Sequence, residues 1–119
     1  MLKLRVGITA ALLCILAAGV SNATPDIQGK VSKVVTLPVA AGKHAVRIYF
    51  SSHVNDRWGC LQNFGYIEAN DATIYLDAKG LDRLVALATT ALATDMTLAI
   101  DSPGTNPCTD ANMFYLIKD

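Results

Sequence analysis

The chain has 119 residues, 52% of them hydrophobic and 17% charged, with ten Lys+Arg against ten Asp+Glu. That length holds one domain, since a single small core already uses about 100 residues. The apolar richness excludes an intrinsically disordered chain, and zero formal charge with a pI near 6.7 excludes the basic excess on which nucleic-acid binding rests.

Lys3 and Arg5 stand ahead of an apolar run from Val6 to Val20, which Ser21-Asn22-Ala23 closes. A basic start, a short hydrophobic stretch and small residues before a cut predict a secretory signal peptide over residues 1–23. The run is interrupted by Gly7, Thr9 and Gly19 and is short for a membrane span, so an uncleaved anchor is the weaker alternative. Leu13 stands where lipid attachment at Cys14 would want a small residue. Cleavage leaves one domain over residues 24–119, with eight basic residues against ten acids and about 48% hydrophobic residues, an ordinary value for a soluble domain. The expected location is secreted or periplasmic, with no membrane span after cleavage. Cys60 and Cys108 are then the cysteines left, and two cysteines in a small exported domain predict a disulfide, against the alternative of two free thiols.

In the remaining chain, Val31, Val34, Val35 and Leu37 predict a strand ending at Pro38, with imperfect alternation at Val34-Val35. Ala40-Ala41-Gly42 reads as a turn. From His44 to Ser51, Val46, Ile48 and Phe50 share one face and Arg47 and Tyr49 the other, the period of a half-buried strand. Asn55-Asp56-Arg57 has turn chemistry, and Trp58–Gln62 with Phe64–Ile67 predicts a third strand region broken near Gly65. Asn70-Asp71 predicts a turn before a short strand, Thr73–Leu76. Asp77 then caps a helix over Ala78–Thr94, whose Leu81, Leu84, Val85, Ala88, Ala91 and Leu92 fall at helical spacing. A strand at Thr97–Ile100, a polar loop Asp101–Asn112 holding Cys108, and a last strand Met113–Lys118 complete the chain. Four strands, a helix and then two strands make a small α+β, mainly β arrangement or a partly closed barrel.

Chemistry is sparse. Ser51, Ser52, His53 and Asp56 hold the residue types of a hydrolytic triad, but no G-x-S-x-G elbow surrounds either serine, and a polar strand end explains them better. His44 and His53 are the two histidines, too few for a zinc site once the cysteines pair. Asp101 and Asp110 lack the D-x-D-x-D-G spacing of a calcium loop. No catalytic residue, metal or cofactor is therefore expected, and a non-enzymatic role is. The best candidates for a ligand surface are Trp58 and Tyr66, with Asn55, Asp56, Arg57 and Asn63, and Tyr75 as a further ring. Rings stack on sugar faces while amides and carboxylates take hydroxyls. The weightier reading of Trp58 itself is a core residue beside Cys60. For the helix stripe, packing on its own sheet outweighs a contact with a second copy.

Trp58-Gly59-Cys60, the segment GLDRLVALATTALATDMTLAID from Gly80 to Asp101, Pro107-Cys108 and the closing MFYLIKD together resemble the binding subunits of bacterial AB5 toxins. They also look like small exported bacterial OB-fold proteins of unassigned function. The resemblance implies an OB-like, partly closed antiparallel barrel with one helix, a disulfide tying the barrel, and a binding role by analogy. It carries over no sugar-binding residue. The expected function is an exported non-enzymatic binding module for a glycan or protein partner. The alternative is a structural or oligomer-forming envelope protein.

Overall fold

The structure is a computed structural model and describes residues 25–118; the predicted leader lies outside them. Strand β1 (Ile27–Ala40) and strand β2 (Lys43–Asp56) form a long antiparallel hairpin around Ala41-Gly42, with Gly42 at φ 70° where the turn needs a positive value. A short helix α1 (Cys60–Asn63), strand β3 (Tyr66–Asn70), the long helix α2 (Ala78–Thr94), strand β4 (Thr97–Ile100), a short helix α3 (Pro107–Asp110) and strand β5 (Phe114–Ile117) follow. The strands make one five-stranded antiparallel sheet in the order β3-β2-β1-β4-β5. The fold is α+β and mainly β. The sheet is not closed into a barrel: β3 and β5 lie at opposite edges, and the expected partial closure is replaced by a seam of another kind, the Ala111 N–H donating to the Glu68 carbonyl at 3.1 Å.

The imperfect alternation in β1 has a physical cause. Ile27, Gly29 and Val31 face inward, yet so does Val34, paired with Ile48. The register passes from Val31↔Phe50 to Lys33↔Tyr49, so Ser32 is the extra residue of a bulge, and the inward phase moves from odd to even positions. Pro38 does not end the strand. It sits beyond the reach of β4, which pairs with residues Ile27 to Lys30, so its missing N–H is on a free edge.

Two predicted strands are corrected. Trp58–Gln62 is no strand: Gly59 at φ 70° starts α1, and the Asp56 carboxylate accepts the N–H groups of Leu61 at 3.2 Å and Gln62 at 3.0 Å. Gly65 at φ 81° then turns the chain into β3. Thr73–Leu76 is a run of turns, in which Asn70 Oδ1 accepts from Ala72 N–H and Thr73 Oγ1 from Tyr75 N–H. Side-chain acceptors satisfy this backbone locally, and Ile74 is left 94% exposed. The loop 101–112 contains α3, begun by Asn106, whose side chain accepts from Cys108 N–H.

Helix α2 matches its predicted bounds, with Asp77 Oδ1 accepting from Gly80 N–H at 2.7 Å. Leu81, Leu84, Ala88 and Ala91, spaced three and four apart, are buried against Ile27, Val31, Val46, Ile48, Ile67, Leu98 and Ile100. The stripe is thus covered by the chain's own sheet; of its predicted members, Leu92 alone is exposed. Cys60 and Cys108 form a disulfide that ties α1 to α3. No helix among the described residues is long and apolar enough to cross a membrane.

Candidate functional site

Alternation sends the odd residues Arg47 and Tyr49 of β2 and the even residues Tyr66 and Glu68 of β3 to the outer face, away from α2. Register then makes them neighbours: Tyr49 faces Tyr66 and Arg47 faces Glu68, with Lys33 of β1 opposite Tyr49. The Tyr49 and Tyr66 rings lie 5.2 Å apart at 56°. Lys33 Nζ stands 4.2 Å over the Tyr49 ring and the Arg47 guanidinium 4.7 Å over that of Tyr66. Arg47 Nε donates to Glu68 Oε1 at 2.9 Å, and that hydrogen bond raises the guanidinium above its already high ordinary value, so Arg47 is a permanent cation. Phe64, 57% exposed, tilts against Tyr66 with centroids 6.3 Å apart. Arg47, Phe64, Tyr66 and Glu68, with Cys108 and Thr109 of α3, line a hollow of about 150 Å³.

Of the predicted ligand residues, Tyr66 belongs to this cluster. Asn55, Asp56 and Arg57 are engaged within the fold. Asn55 Nδ2 donates to Gln28 Oε1 at 3.3 Å, and both Asp56 oxygens cap α1. Arg57 N–H donates to the Asp26 carbonyl at 2.9 Å, and its guanidinium approaches the Asp26 carboxylate at 3.5 Å. Asp26, 5% exposed, also accepts from Ser102 N–H, so it latches the start of β1 to both the β2–α1 turn and the loop after β4. Asn63 and Tyr75 are exposed, outside the residues that line the hollow. Trp58 is 48% exposed, which overturns its reading as a core residue; it too lies outside that lining.

Sequence reasoning missed Arg47, Phe64, Glu68 and Thr109. The outward phase of Arg47 and Tyr49 was visible, but what joins them to Glu68 and Tyr66 is a cross-strand register between segments about twenty positions apart. Ser51 is left unpaired between Phe50 and Ser52, Ser51, Ser52 and His53 are all exposed, and Asp56 has both oxygens committed to α1, so no serine–histidine–aspartate chain of hydrogen bonds forms among the described residues. Ser52 and His53 instead border a hollow of about 310 Å³ with Gln28, Gly29 and Lys30 of β1, where Gly29 approaches the Ser52 carbonyl. Among the described residues no three His, Cys, Asp or Glu side chains gather as metal ligands would. Set beside known proteins, the chain matches no protein-family model, no curated protein and no solved structure.

Proposed function

We propose that the chain is an exported, non-enzymatic binding module whose ligand is a neutral sugar residue seated on the outer face of β2 and β3. The observation that carries this reading is the exposed Phe64 ring beside Tyr66, at a hollow walled by the Arg47–Glu68 pair. A sugar offers an apolar face to a ring and hydroxyls to polar groups around it. Arg47 supplies guanidinium donors and Glu68 acceptors, and their charges cancel, which suits an uncharged ligand better than an anion. At about 150 Å³ the hollow is smaller than the 300–1,000 Å³ usual for drug-sized ligands, so it takes a single ring rather than an oligosaccharide. The resemblance to toxin binding subunits and exported OB-fold proteins supports the reading as analogy.

The test is a glycan array probed with the protein from residue 24 onward, followed by titration of any retained sugar into Phe64→Ala and Arg47→Ala. Binding weakened at least tenfold in both variants is expected. An array on which the wild-type domain retains nothing would overturn the sugar assignment.

A further inference from the structure

The outer-face hollow has an uneven supply of hydrogen-bond donors and acceptors, and that supply narrows what can sit in it. Arg47 and Glu68 stand opposite each other in the β2–β3 register and meet end-on. Arg47 Nε donates to Glu68 Oε1 at 2.9 Å, and no second hydrogen bond joins the two side chains. A guanidinium carries five N–H donors and a carboxylate two acceptor oxygens. The single bond therefore leaves the Nη donors of Arg47 and the Oε2 of Glu68 without a hydrogen bond among the described residues. The pair is also held in place, since the guanidinium lies 4.7 Å over the Tyr66 ring and the side chains of Arg47 and Glu68 are 35% and 21% exposed. Thr109, on the facing wall, donates its hydroxyl proton to Asp110 Oδ2 at 3.1 Å, so what its oxygen keeps for a ligand is acceptor capacity.

The site thus offers a fixed cationic donor beside a fixed anionic acceptor. A carboxylate or phosphate would meet Arg47 but be repelled by Glu68, and an ammonium would meet the reverse arrangement. An ether or ketone oxygen would use Arg47 and leave Glu68 unmet. A lone hydroxyl has one oxygen to set against two groups whose free atoms are the ones not joined to each other. Two neighbouring hydroxyls satisfy both: one accepts from an Arg47 Nη–H while the next donates to Glu68 Oε2. A ring that carries them keeps an apolar face for Phe64, which is 57% exposed.

Resting on the sugar site proposed above, we infer that Arg47 and Glu68 together select a ring with two adjacent hydroxyls, and that Glu68 is the specificity-determining residue that turns anionic ligands away. Arg47 alone would favour a carboxylate, and the register that sets Glu68 against it removes that preference.

The probes are trans-cyclohexane-1,2-diol, cyclohexanol and sodium cyclohexanecarboxylate, which share one ring and differ in the polar group. Each is titrated into the protein and followed by NMR at the amides of Phe64, Glu68 and Thr109. In the wild type the diol should bind about fivefold more tightly than cyclohexanol, the effect of one added hydrogen bond, and the carboxylate no more tightly than cyclohexanol. Glu68→Gln keeps the side chain's size and removes its charge. In that variant the diol's advantage should fall to about twofold or less, and the carboxylate should become the tightest of the three. Damage to packing alone would weaken all three probes together, so a reversed order reads selectivity. Cyclohexanol matching the diol in the wild type, or a carboxylate that gains nothing in a folded Glu68→Gln variant, would overturn the inference. Should Glu68→Gln fail to fold, the wild-type order decides alone. A sugar retained on the glycan array while cyclohexanol matches the diol removes the selection and leaves the outer-face site standing. No shift from any probe overturns the inference, and an empty array as well removes the site with it.

Discussion

Opening the Cys60–Cys108 disulfide should be the most damaging covalent change the domain can undergo. The bridge closes a loop with a sequence separation of 48 residues. Chain-entropy scaling for such a loop gives a stabilisation of about 4 kcal/mol at 25 °C, acting through the unfolded state. A domain of this size is stable by about 5–14 kcal/mol, so the loss is more than about a quarter of the total. Removal also frees α1 from α3, the pair that holds the β3 edge to the segment before β5, where the Ala111–Glu68 hydrogen bond is the remaining backbone tie in that seam. The measurement is urea unfolding of the oxidised protein, the reduced protein and a Cys60→Ala/Cys108→Ala variant. With a urea slope of about 1–1.5 kcal/mol/M, the midpoint should fall by about 3 M in the reduced protein. A fall under about 0.7 M would refute the reasoning, because it would mean that the unfolded chain gains little freedom when the bridge opens.

Leu84→Ala should cost about 2–5 kcal/mol, since Leu84 is fully buried at the centre of the α2 stripe, and a calorimetric melt reads it. Gly29→Ala should cost about 1–3 kcal/mol, because the new Cβ would stand within 3 Å of the Ser52 carbonyl and His53 Cα, which are backbone and cannot swing aside; the same melt compared with Gly65→Ala separates steric clash from positive φ. Asp95→Gly should raise stability by about 0.5–1 kcal/mol, because Asp95 ends α2 at φ 58°, where glycine carries no Cβ penalty; an unchanged or lower midpoint would show that the aspartate offsets its own strain.

The parts legible in the sequence were those whose signal is local and repeated. Helix α2 was readable because its stripe runs about three turns and its cap is adjacent; β2 was readable because six residues alternate without interruption. Trp58–Gln62 misled because an apolar tryptophan and leucine around a cysteine look like strand, while the decisive influence is the carboxylate of Asp56 reaching forward to two backbone N–H groups. The phase shift at Ser32 was visible as broken alternation, but alternation alone does not say which residue is the extra one; the partner register does. Residue chemistry of rings, amides and charges points to Trp58, Tyr66 and the polar run Asn55-Asp56-Arg57, but that run finds its partners elsewhere in the fold, in Gln28, the α1 N–H groups and Asp26. Asn55, Asp56 and Arg57 sit at a junction of β1, β2 and α1, where polar side chains tie loops to strands. The residues that share an open surface come instead from two strands and a helix.

The place of that surface follows from how the sheet ends. A barrel would set β5 against the free edge of β3, and the strand pairing would leave no gap between Glu68 and its neighbour. Here β5 stays beside β4, and α3 occupies the position next to β3, held there by the disulfide and by the Ala111 N–H. A single helical turn cannot pair along a strand, so it meets β3 at one hydrogen bond and leaves the remaining side chains of that edge standing over a hollow. Cys108 and Thr109 form one wall of it, and Arg47, Tyr66 and Glu68 the other. The same substitution of helix for strand therefore accounts for the open sheet, for the need of a covalent tie, and for the cavity. It follows that a change that loosens α3 should disturb the hollow before it disturbs the core of α2 on the opposite face.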